Sequence, residues 1–130
     1  IQLLDFRTLA QTTLFEGELG LSEFNWSPDG RMIAFYRKDP SKSYIDIPSV
    51  GQLWHGNIWV VSVPSGEVRQ ITFIKGTAFR PTWSPDGRTL SFLTHDGSIG
   101  LTSLEQPGIL WKAATTSADM PLFTSMFFMP

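Results

Sequence analysis

A six-residue string occurs twice in this chain. Trp26-Ser27-Pro28-Asp29-Gly30-Arg31 returns as Trp83-Ser84-Pro85-Asp86-Gly87-Arg88, at an offset of 57 residues, and in each copy a phenylalanine (Phe35, Phe92) stands four residues after the arginine. A repeat of fixed offset makes each copy one supersecondary unit that buries its apolar face against the next. Each copy reads as a β-hairpin. Trp26 and Trp83 end short strands. Pro28-Asp29-Gly30 and Pro85-Asp86-Gly87 then supply turn chemistry: Pro presets φ, Asp bonds nearby main chain, and Gly accepts positive φ. The strands that follow, Met32 to Tyr36 and Thr89 to Leu93, are rich in β-favouring residues. The first is almost continuously apolar, as expected of a strand covered on both faces.

A second hairpin follows each first one. Asn57 to Val63 reads as a strand, Pro64-Ser65-Gly66 as a turn and Glu67 to Phe73 as a fourth strand. In the second copy Ser98 to Leu104, a turn at Glu105 to Gly108, and Ile109 to Ala113 take the same places, with glycines that weaken the pattern. Each unit is thus a four-stranded antiparallel sheet. Such sheets repeated along a chain build β-propellers, so the expected fold is all-β, a propeller of four-stranded blades, here roughly three blades' worth.

The expected organisation is a single partial propeller domain over 1–130. Residues 1–20 supply the last two strands of one blade, 21–73 a full blade, 77–114 a second, and 119–130 the start of a further one, where Pro121-Leu122-Phe123 echoes Pro81-Thr82-Trp83. An open stack of this kind leaves apolar sheet faces at its ends. Three remedies stay open: a longer polypeptide, a homodimer completing a six-bladed ring, or a different protein as cap. The start at Ile1, without Met or a signal-peptide pattern, is read as a chain cut from something longer or already processed.

Composition narrows the function classes. The chain is 42% hydrophobic and 13% aromatic, enough for a packed core. Ten basic against twelve acidic residues, a formal charge of −2, give no broad footprint for nucleic acid or anionic membranes. With no cysteine, thiol catalysis, disulfides and Cys-ligated zinc are excluded. No apolar run has the length of a membrane span. No cofactor or metal is expected, since His55 and His95 show no ligand spacing and no Gly-x-Ser-x-Gly elbow accompanies them.

Asp29 and Asp86 read as caps of their own turns rather than as a catalytic pair. Asp86→Ala is accordingly expected to loosen its hairpin and lower the melting temperature. Trp26, Trp83 and Trp59 read as core between sheets, because aromatics at equivalent repeat positions bury large areas. The main functional candidate is the insert of about sixteen extra residues between the second and third strands of the first unit, residues 37–56. Arg37, Lys38, Tyr44, Trp54 and His55 are its proposed partner-binding residues, of the types that anchor interfaces. The bland alternative is an extra hairpin that only covers an apolar patch. In such a blade the insert shares one face with 16–23 and 74–79.

The Ser-Pro-Asp-Gly turn, Asn57-Ile58-Trp59-Val60 and the closing Gln70-Ile71-Thr72 resemble the TolB-type, WD-repeat-like propeller family, over Leu21 to about Leu104. The resemblance implies a non-catalytic protein-interaction or scaffold module, with a bacterial, periplasmic setting and the cytoplasm as its alternative. It also implies two rivals: a gating propeller of a serine peptidase whose catalytic domain lies outside this chain, and a self-assembling half-propeller of purely structural role.

Overall fold

A computed structural model describes residues 1–17, 23–47, 51–108 and 111–114 of the chain, the last four as backbone. The described residues form twelve strands and no helix, all the sheets being antiparallel. The expected start of a further blade at 119–130 lies outside them.

The first repeat folds into one sheet of β3 (Phe24–Trp26), β4 (Met32–Lys38), β7 (Gly56–Ser62) and β8 (Val68–Gln70), hydrogen-bonded in that order. The second gives β9 (Ala78–Trp83), β10 (Thr89–Thr94), β11 (Ser98–Ser103) and β12 (Trp111–Ala114), again neighbours in chain order. β8 is shorter than the expected run to Phe73. The amides of Ile71 and Thr72 both turn to the Ile58 carbonyl, at 2.9 and 3.3 Å, which ends the regular ladder. Near the N-terminus, β1 (Gln2–Leu4) and β2 (Gln11–Thr13) form a two-stranded sheet. The insert folds as a hairpin, β5 (Tyr44–Ile47) and β6 (Gly51–Trp54).

The two Pro-Asp-Gly turns are built alike. Asp29 Oδ1 accepts from the Ser27 hydroxyl (2.6 Å) and the Arg31 amide (3.0 Å), and Ser27 Oγ accepts from the Met32 amide (2.9 Å). Asp86 repeats this with Ser84 (2.5 Å) and Arg88 (3.0 Å), and Ser84 Oγ accepts from Thr89 (3.0 Å). Gly30 and Gly87 both have φ of 70°, the left-handed region that a side chain would resist. Pro28 and Pro85 are exposed at the turn tips.

The sheet β3-β4-β7-β8 is covered on both sides, which explains why Ile33 to Tyr36 are buried without alternation. Ala34, Tyr36, Ile58 and Val60 face one core, shared with Phe79, Trp83, Leu90 and Phe92 of the second sheet and with Ile47 and Leu53 of the insert. Ile33, Phe35 and Val61 face another, closed by Leu14, Ile1, Leu3 and Phe15 of the N-terminal segment. The seam between the four-stranded sheets is polar at one edge. Trp83 Nε1 donates to the Asn25 carbonyl (3.0 Å), while Arg80 donates its amide (2.9 Å) and Nε (3.4 Å) to the Glu23 carboxylate.

The expectation that Trp26 and Trp83 are both core is half overturned. Trp83 is 6% exposed, but Trp26 is 46% exposed and Phe24 beside it 51%. Through their pairing with Ile33 and Phe35, Trp26 and Phe24 project to the side of the sheet where β1 and β2 lie. That two-stranded sheet covers Phe35 and Val61 and stops short of β3. Trp83 has a whole sheet in front of it; Trp26, its repeat equivalent, does not.

No helix of the described residues is long and apolar enough to cross a membrane.

Candidate functional site at the insert face

β4 decides the layout of the site. Side chains alternate along a strand, so Arg37 follows Phe35 to one face of the sheet and Lys38 follows Tyr36 to the other. The five candidate residues therefore separate. Lys38, Tyr44, Trp54 and His55 gather at the insert hairpin, and Arg37 stands apart from them.

In the hairpin Tyr44 pairs directly with Trp54, and their rings lie 4.0 Å apart between centroids. Lys38 Nζ is 4.7 Å from the Trp54 ring centroid, a cation–π contact. His55 Nδ1 lies 2.6 Å from the Ser43 carbonyl, so that nitrogen carries a proton and the ring serves the base of the hairpin. The Trp54 carbonyl accepts from Tyr36 Oη (2.6 Å) and Thr77 Oγ1 (2.9 Å), which ties the insert to the main sheet and to the start of the next repeat. Burial of Tyr36 raises the pKa of its phenol above the usual value, so it stays a donor to that carbonyl. Gly56 and Asn57 bond to Gly76 and Ile74, so the base of the insert meets segment 74–77. Tyr44 is 51% exposed and is the hairpin's outward aromatic. Ile47 and Leu53 turn inward and join the core. The hairpin thus covers an apolar patch and also presents an aromatic surface.

On the other face the Arg37 guanidinium packs against two rings, 4.7 Å from the Trp59 centroid and 5.3 Å from that of Phe15. Trp59, expected as core, is only partly buried and forms this aromatic platform. A cavity of about 230 Å³ opens here. Arg37 and Lys38 of β4 line it with Asp39 and Pro40, opposite Gly56, Asn57 and Trp59 of β7 and Gln70 of β8. Most of its polar groups are already engaged. Asn57 Oδ1 accepts from Thr72 Oγ1 (2.9 Å) and the Ile74 amide (3.0 Å), and Gln70 Nε2 donates to the Thr72 carbonyl (2.8 Å). Asp39 accepts from the Ser41 hydroxyl (2.6 Å) and amide (3.0 Å) and pairs with Lys42 (3.5 Å). The Ser41 hydroxyl bond is the main reason its carboxyl stays below the ordinary range.

Sequence reasoning grouped Arg37 with the insert and did not foresee Phe15 as its neighbour. The signal for its separation was parity with Phe35. His95 lies at the foot of the second sheet, its Nδ1 3.4 Å from the Thr77 amide. Among the described residues no three His, Asp or Glu side chains cluster as metal ligands would.

No protein-family model matches the sequence. One curated protein, the uncharacterized peptidase YuxL of Bacillus subtilis (strain 168), is 27% identical to this chain over 90 residues. The match takes in 69% of the chain and 12% of YuxL, so the chain spans a small part of the length of the relative it resembles.

Proposed function

We propose that the two four-stranded sheets are blades of a TolB-type, WD-repeat-like β-propeller, and that the protein is a non-catalytic module binding other polypeptides through its insert face. The observation that carries this is the seam. The first strand of the second repeat, β9, packs across β3, β4 and β7 of the first sheet, with Trp83 bonded to Asn25 and Arg80 to Glu23. A chain that meets its own repeat in this manner supports lateral stacking of further sheets. The exposed Tyr44 on a hairpin anchored by Trp54 gives such a scaffold an aromatic contact surface. The test is a photo-crosslinking amino acid at position 44, with position 29 as control. Polypeptide adducts at 44 that disappear on Trp54→Ala support the reading; equal labelling at both positions sinks it.

A second reading is favoured by the similarity to YuxL. In it the propeller is the accessory part of a peptidase, and the hydrolytic residues lie in another portion of the polypeptide. It is tested by reading the gene on either side of this chain and assaying its full product on peptide substrates. A downstream Gly-x-Ser-x-Gly and serine-dependent hydrolysis support it; an open reading frame with neither rejects it.

A further inference from the structure

Arg37 is placed as a ligand-binding arginine is placed. Its guanidinium lies over the rings of Trp59 and Phe15, at 4.7 and 5.3 Å from their centroids. Aromatic contacts fix a guanidinium by its faces and leave its N–H edge to make the directional bonds. Among the described residues no carboxylate or carbonyl accepts a bond from that edge. Arg37 lines a cavity of about 230 Å³, and most of the other polar groups there are engaged internally. The one acid in its wall, Asp39, is balanced by Lys42 and Ser41. Arg37 therefore leaves the cavity cationic, with Trp59 and Pro40 as apolar walls. The volume suits a group of amino-acid size rather than a drug-sized ligand.

We propose that this cavity binds a carboxylate, held bidentately by Arg37, on a small organic body. The planar fork matches a carboxylate with two parallel N–H···O bonds, and the stacked rings hold the fork before the ligand arrives. The carboxylate has two sources, the C-terminus of a peptide and a free small carboxylic acid. The inference goes beyond the polypeptide-binding reading and needs only the local structure around Arg37.

The test is calorimetric titration of the complete chain with N-acetyl-glycyl-alanine, its C-terminal amide, acetate and inorganic phosphate. The acid peptide is expected to saturate one site and the amide to bind at least about tenfold more weakly, the loss of a charge-assisted bidentate pair. Arg37→Lys keeps the charge but not the fork and should also weaken the acid peptide about tenfold or more. Arg37→Gln should abolish its binding with an unchanged far-UV spectrum, while Arg88→Gln, an exposed position outside the cavity, leaves it intact. Preference for the acid peptide over acetate assigns the carboxylate to a peptide C-terminus; equal binding assigns it to small acids. Equal binding of acid and amide, tighter binding of phosphate, or no binding by the folded chain overturns the proposal. If Arg37→Gln fails to fold, the acid-against-amide comparison on the unaltered chain decides alone. Adducts at position 44 without carboxylate selectivity would leave polypeptide binding standing and remove this site; the reverse result would do the opposite.

Discussion

Glu23 and Arg80 occupy equivalent positions of the two repeats, 57 residues apart, and meet across the seam between the sheets. Glu23 accepts from both the main chain and the side chain of Arg80. Arg80 itself has φ of 54°, an unusual conformation for a residue other than glycine. The Glu23 carboxylate thus secures a strained backbone position as well as a charge.

The two partners should therefore differ on mutation. Arg80→Ala removes the side-chain bond and leaves the amide bonded, whereas Glu23→Ala removes both. Glu23→Ala is expected to cost about 1–2 kcal/mol and Arg80→Ala less, because the partly exposed ion pair itself contributes little. Urea unfolding of both variants checks the order; equal losses would show that the amide bond contributes nothing.

Trp83 and Trp26 should also part company. Trp83→Ala empties a well-packed seam and is expected to destabilise by about 3–5 kcal/mol, enough to unfold a marginal domain. Trp26→Ala should change the stability of the isolated chain by less than about 1 kcal/mol. If the exposed Phe24–Trp26 face is where another copy or a cap docks, Trp26→Ser will reduce self-association. Light scattering over a range of concentrations reads this directly.

The turn carboxylates predict an acid limb. Asp29 and Asp86 lie below their ordinary value of 3.8, first because of the Ser27 and Ser84 hydroxyl bonds and then because of the Arg31 and Arg88 amides. A folded-state pKa below the unfolded one contributes stability that is present above the unfolded value and lost as pH falls through the folded one. The melting temperature should hold between about pH 5 and 7 and drop below about pH 4, less steeply in Asp29→Asn/Asp86→Asn. Replacing the buried Ser84 by Ala, which strips Asp86 of its hydroxyl donor and Thr89 of its acceptor, should cost about 1 kcal/mol at neutral pH.

Gly100 faces Phe92 across the β10–β11 pair, and a Cβ there would run into the Phe92 ring. Read from sequence this glycine weakens its strand; in the fold it makes room for a fully buried aromatic. Gly100→Ala should cost about 1–3 kcal/mol by overpacking. Phe92→Leu added to it should recover part of that loss in a double-mutant cycle, and additive losses would count against the contact.

The strands and their order in each sheet were legible because they rest on local chemistry. Pro-Asp-Gly sets a turn wherever it stands, and apolar runs on either side follow. The insert hairpin was partly legible too: Ile45, Ile47 and Leu53 alternate with Tyr44, Asp46 and Trp54. The exposure of Trp26 was not, because burial is conferred by a neighbour and identical strings can have different neighbours. Nor was the setting of Arg37, since Phe15 reaches its guanidinium from a segment with no motif of its own. Sequence periodicity tells which side of a strand a residue takes, and says nothing of what stands opposite.

The pairing of Glu23 with Arg80 has a directional consequence. One repeat position is acidic on one sheet and basic on the next, so the contact is between unlike surfaces and runs from first sheet to second. Contacts between unlike surfaces do not terminate themselves as a two-fold contact does; they continue until a rotation brings the last surface back to the first. In the β-propeller proposed above, the number of sheets would then be an angular quantity, fixed by the turn made at each seam. In such a propeller, a substitution that altered that turn by a few degrees would exchange a closed ring for an open fibre without weakening any single contact.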